Sequence, residues 1–110
     1  MKKILLLVAL CFVFCGCNNE SDKLDIKKII SENEHIIVDV RTAEEYNESH
    51  VIGSINIPYD QIRDNLDKDK VVFVYCRSGA RSKIAFDTLK RFGYEVYDLG
   101  AFSELDLPKE

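Results

Sequence analysis

The segment Tyr75-Cys76-Arg77-Ser78-Gly79-Ala80-Arg81-Ser82 concentrates the reactive chemistry of this chain. The apolar run Val71-Val72-Phe73-Val74-Tyr75 in front of it reads as a strand, and Ser82 to Phe92 behind it reads as a helix. A turn from a strand's C-terminal end into a helix lies where ligands bind in open α/β sheets. Amides at a helix start have no internal partners, and with the helix dipole they favour an anion. Gly79 allows a backbone geometry that a side chain disfavours. A cysteine at the centre of such a turn should ionise readily. Arg77 and Arg81 add fixed positive charge suited to holding an oxyanion. Cys76 is therefore the candidate nucleophile, and Arg77, Ser78, Gly79, Ala80, Arg81 and Ser82 are the candidate substrate-binding residues. A buried structural cysteine ahead of a solvated helix cap is the blander reading, and the density of reactive residue types in one turn weighs against it.

The other three cysteines, Cys11, Cys15 and Cys17, fall in a different kind of segment. Met1-Lys2-Lys3 is a basic head, and Ile4 to Cys15 follows without a charge. This pattern predicts a secretory signal peptide over residues 1–16. It is short for a membrane-spanning helix, which needs about 20 apolar residues. Phe14-Cys15-Gly16-Cys17 resembles a bacterial lipobox, although Phe14 stands where such signals prefer Leu. That resemblance implies cleavage after Gly16, lipid on Cys17, residues 17–23 as a polar tether and an exported domain over 24–110, anchored at a periplasmic or outer-surface membrane face. Processing would leave Cys76 as the single free thiol, with no resolving partner for dithiol redox chemistry.

The elements that must position the turn follow from the rest of the chain. Leu24 to Glu32 reads as a short strand lead-in and a helix from about Asp25. Ile36 to Val40 reads as a buried strand, and Thr42-Ala43-Glu44-Glu45 has the spacing of a capping box. Gly53 to Ile57 reads as a short strand ended by Pro58, Asp60 to Leu66 as a short helix, and Glu95 to Leu99 as a last strand. In the helix from Ser82, Ala85, Leu89 and Phe92 share a side with Ile84 beside them, and Gly93 is placed to end it. Alternating strands and helices predict one α/β domain with a small, mainly parallel, five-stranded sheet covered on both faces.

Of 110 residues, 46% are hydrophobic and 31% charged, which excludes disordered and collagen-like chains. The net charge of −4 opposes binding to nucleic acid. A monomer is expected.

Two motifs, taken together, resemble the rhodanese-like (sulfurtransferase) domain family. One runs Val38-Asp39-Val40-Arg41-Thr42-Ala43-Glu44-Glu45-Tyr46 and continues through His50-Val51-Ile52-Gly53-Ser54-Ile55-Asn56-Ile57-Pro58. The other is Val74 to Ser82, followed by its helix and by Gly93-Tyr94-Glu95-Val96. The resemblance implies a three-layer rhodanese-like fold. It also implies that the Cys76 thiolate takes a sulfane sulfur from a small anionic donor such as thiosulfate and passes it, as a persulfide, to cyanide, a thiol or a protein. No metal or organic cofactor is implied. Phosphatases of similar fold have five residues between the catalytic Cys and Arg, whereas four separate Cys76 from Arg81. The alternative from another class is a non-catalytic persulfide carrier or partner-binding module at the membrane surface. Asp39 and Arg41 are expected either to support the Cys76 loop or simply to pair with each other, Glu45 to act as a cap, His50 to be structural and His35 to be solvated. The chain departs from the family at its end, where Leu99-Gly100-Ala101-Phe102 lacks a second glycine and a Trp, and Phe102 is expected to fill the Trp's packing role.

Overall fold

The computed structural model describes residues 25–110. The predicted signal sequence, lipidated Cys17, tether and strand lead-in all lie outside the described residues. Four strands, β1 (His35–Asp39), β2 (Ile55–Asn56), β3 (Val71–Cys76) and β4 (Val96–Ala101), form a parallel sheet in the order β2-β1-β3-β4. The helices are α1 (Ile26–Glu32), α2 (Ala43–Glu48) and α3 (Ala80–Phe92).

The expected fifth strand is absent among the described residues. Asp25 caps α1 by accepting the Lys28 amide at 3.2 Å, so the described residues begin at a helix cap. The C-terminal segment forms no strand but an isolated antiparallel bridge, Val51 to Lys109, flanked by backbone hydrogen bonds between His50 and Glu110 and from the Ile52 amide to the Pro108 carbonyl. The helix expected over Asp60 to Leu66 is a single 3-10 turn, Tyr59–Gln61. Its continuation is replaced by a distant partner: the Tyr94 hydroxyl accepts the Leu66 amide at 2.9 Å and lies 2.8 Å from the Leu66 carbonyl.

Strand β3 is buried along its whole length, and its period-2 alternation builds two cores. Val72, Val74 and Cys76 face Val38, Val40, Ala85 and Leu89 beneath α3. Val71, Phe73 and Tyr75 face the other way, toward Ile37 and Val51, where α1 and the segment carrying Phe102, Leu105 and Leu107 cover the sheet. These are the three layers expected. Ile84 is half exposed, so the buried stripe of α3 is narrower than expected and centres on Ala85 and Leu89. Gly93 ends α3 at φ 98°, a conformation other residues enter at a cost, and its amide reaches the Leu89 and Lys90 carbonyls.

Candidate functional site

Cys76 is the last residue of β3 and is fully buried, pointing toward α3. Gly79 caps α3 at φ 103°. In this left-handed conformation it starts α3, and its amide donates back to Cys76 Sγ at 2.9 Å. Burial pushes the Cys76 thiol up, but hydrogen bonds from the Ser82 hydroxyl and amide and from the Gly79 and Ser78 amides outweigh it, and the thiol ionises below its usual range. Ser82 is fully buried, and its hydroxyl also lies 3.1 Å from the Gly79 carbonyl. One hydroxyl proton serves one acceptor at a time, so ionisation of Cys76 competes with the Gly79 carbonyl for it.

The two arginines of the turn differ in their surroundings. Arg77 is exposed and, among the described residues, has no carboxylate partner within ion-pair distance. Arg81 is held by Glu45 of α2, with Nη1 donating to Oε1 at 3.0 Å and Nη2 to Oε2 at 3.3 Å. Glu45 also closes the α2 capping box, accepting the Thr42 amide at 3.0 Å while donating its own amide to Thr42 Oγ1 at 3.2 Å. The Arg81 hydrogen bonds bring the Glu45 carboxyl down to about 2 despite partial burial. Glu45 is thus both the expected cap and the partner of Arg81. The second role left no local signal, because the partners are 36 residues apart.

Asp39 and Arg41 sit at the same edge of the sheet. Arg41 Nη2 donates to Asp39 Oδ2 at 2.6 Å and to the Ser49 carbonyl at 2.6 Å, and Arg41 Nε donates to Asp39 Oδ1 at 2.9 Å. Burial disfavours the Arg41 charge, but the Asp39 hydrogen bonds and charge more than restore it. Asp39 alternates with Val38 and Val40 and so shares the Tyr75 side of the sheet, whereas Cys76 faces α3. The guanidinium hydrogen bonds of this pair run to Asp39 and Ser49, and Asn56 Nδ2 donates to both backbone carbonyls. The Arg41 guanidinium lies 4.3 Å from the centre of the Phe102 ring, which stacks on Tyr75 at 5.6 Å. Phe102 is thus packed against both Arg41 and Tyr75. His50 is stacked on Tyr46 at 3.9 Å and bonded to the Tyr46 carbonyl and to Glu110, as a structural residue would be. His35 is half-buried rather than solvated, edge-on to Phe73 at 6.3 Å with Nδ1 3.1 Å from the Asn33 carbonyl. Among the described residues, no group of His, Cys, Asp and Glu is placed to hold a metal ion.

Fold and site together define a class: a parallel α/β domain that ends its central strand on an ionisable cysteine ringed by the amides of the following helix. The rhodanese-like domain model matches residues 22–105, and the chain belongs to that family. It is similar to thiosulfate sulfurtransferase PspE of Escherichia coli (strain K12), 36% identical over 78 residues that cover 66% of this chain and 75% of the relative. It also resembles the adenylyltransferase and sulfurtransferase uba4 of Ogataea parapolymorpha, 34% identical over 92 residues, or 76% of this chain and 24% of that protein. Among solved structures, a rhodanese with anions from E. coli superimposes with a TM-score of 0.64 at 34% identity, covering 69% of this chain and 96% of the other. Bacillus anthracis CoADR-RHD in its reduced form gives a TM-score of 0.62 at 30% identity, over 73% of this chain and 15% of the other.

Proposed function

We propose that this protein is a sulfurtransferase that works through a persulfide on Cys76. The observation that carries the reading is the Cys76 sulfur itself, buried at the sheet edge and met by the Gly79 amide at 2.9 Å. With thiosulfate as donor, the Cys76 thiolate attacks the outer sulfur, a sulfur–sulfur bond forms at Cys76, and sulfite leaves with the electron pair of the broken bond. The amides of the turn then face the persulfide's negative charge, as oxyanion-hole donors face oxygen. A thiophilic acceptor such as cyanide attacks the outer sulfur, thiocyanate departs, and the Cys76 thiolate returns. The relative named a thiosulfate sulfurtransferase supports the choice of donor.

The test is peptide mass mapping of Cys76 after thiosulfate and again after cyanide, with Cys76→Ser alongside. A gain of one sulfur atom that cyanide removes supports the reading. A folded protein whose Cys76 alkylates but never gains sulfur overturns it.

On sequence alone, we also propose export and anchoring through lipid on Cys17. Labelled fatty acid should enter the chain and be lost in Cys17→Ala but kept in Cys15→Ala. Labelling that survives Cys17→Ala sinks this proposal.

A further inference from the structure

The charge at the mouth of the Cys76 turn is smaller than its two arginines suggest. Arg81 is neutralised by Glu45 through a two-pronged pair at 3.0 and 3.3 Å. Both side chains are mostly buried, with 28% of Arg81 and 23% of Glu45 exposed, so solvent screens the pair only in part. The Arg41 guanidinium, the next cation along this edge, is neutralised by Asp39. What faces a ligand is the exposed Arg77 and the partial positive charge at the start of α3, set against the thiolate. Together these leave only a small net positive charge, on the order of half a unit, which a singly charged donor overshoots slightly and a doubly charged donor overshoots by much more.

We propose that Glu45 is a specificity-determining residue: by cancelling Arg81 it sets the Cys76 mouth to take singly charged sulfane donors, such as a low-molecular-weight thiol persulfide, in preference to dianionic ones such as thiosulfate. The inference rests on the sulfur-transfer reading above. Glu45 acts through Arg81 and touches neither donor nor sulfur. The charged groups around Cys76 that enter the argument are Arg77 in the turn, Arg81 on α3, Glu45 with exposed Glu44 on α2, and the Asp39–Arg41 pair beyond β1.

Glu45→Gln removes the charge with the least other change, because its one amide oxygen can still close the capping box and accept from Arg81 Nη1, while the Nη2 bond is lost. Full-chain protein would be assayed with thiosulfate and with the persulfide of 2-mercaptoethanol, each with cyanide as acceptor. In parallel, iodoacetamide alkylation of Cys76 would be followed against pH. Expected in Glu45→Gln are a KM for thiosulfate roughly three- to tenfold lower, a smaller change for the singly charged persulfide, and an alkylation midpoint at lower pH. Glu44→Gln, which removes the same charge from an exposed neighbour, should move none of these. Arg81→Gln should shift thiosulfate KM and alkylation midpoint the opposite way, which keeps the test alive if Glu45→Gln does not fold. Equal changes for both donors, or an unmoved thiosulfate KM, overturn the proposal. If neither donor loads sulfur onto the parent protein, the sulfur-transfer reading fails and this one with it. The alkylation midpoint still reports separately whether Glu45 sets the charge at Cys76.

Discussion

The amide nitrogen of Gly79 lies 2.9 Å from the sulfur of Cys76, in a turn that Gly79 passes through at φ 103°. A Cβ at this glycine would meet no atom within 4 Å, so Gly79→Ala is penalised by backbone conformation and not by crowding. The expected cost is about 1 kcal/mol or slightly more. If the turn relaxes to relieve it, the amide swings away from the thiolate. Iodoacetamide rates against pH should then show the Cys76 midpoint rising toward that of an ordinary cysteine. A midpoint unchanged from the parent would mean that this amide does not hold the thiolate.

Asp39→Ala should be the most damaging single change near the site. It leaves the 6%-exposed Arg41 as a buried charge without its counter-ion, which costs about 3–5 kcal/mol. For a domain this small that is a large share of total stability. Denaturant unfolding should show the midpoint falling steeply. A loss under about 1 kcal/mol would indicate that Arg41 finds water or another acceptor once Asp39 is gone.

Tyr75→Phe separates stability from chemistry. The Tyr75 hydroxyl accepts the buried Val51 amide at 3.0 Å and lies 3.3 Å from Ser54 Oγ, and burial pushes its own ionisation up to about 12. Removing it strands the Val51 amide, at a cost of about 1–3 kcal/mol. Because Tyr75 and Cys76 face opposite sides of β3, the alkylation profile of Cys76 should stay where it is. A shift in that profile would show that the two faces are coupled.

The Glu45–Arg81 pair should also appear in acid stability. The Glu45 carboxyl titrates at about 2 in the folded chain, well below its unfolded value. A depressed carboxyl contributes stability that is fully present above the unfolded pKa and is lost as pH falls toward the folded one. The window is therefore about pH 5 down to about 2. Thermal unfolding of parent and Glu45→Gln should differ by on the order of 1–3 kcal/mol at neutral pH, allowing for partial hydration of the pair, and converge near the acid end. A constant gap across that range would assign the loss to something other than ionisation.

The sequence by itself determined what is local. The apolar run of β3, the Thr42–Glu45 capping box, the Gly93 terminator and the crowding of Cys76, Arg77, Gly79, Arg81 and Ser82 into one turn are each legible because their partners lie a few residues away. Backbone geometry over such distances is dictated by periodicity, capping and glycine's access to positive φ. Tertiary structure decided what depends on partners remote in the chain. Tyr94 reaches back 28 residues to Leu66, and a single 3-10 turn stands where a helix was expected. Glu45 finds Arg81 across 36 residues and removes one of two apparent anion-binding charges. Asp39 and Arg41 are near neighbours in the chain, yet strand alternation assigns them to the Tyr75 face. Residue types tell which charges and hydroxyls a chain carries; which of them remain available to a ligand is decided only when the fold has paired the rest.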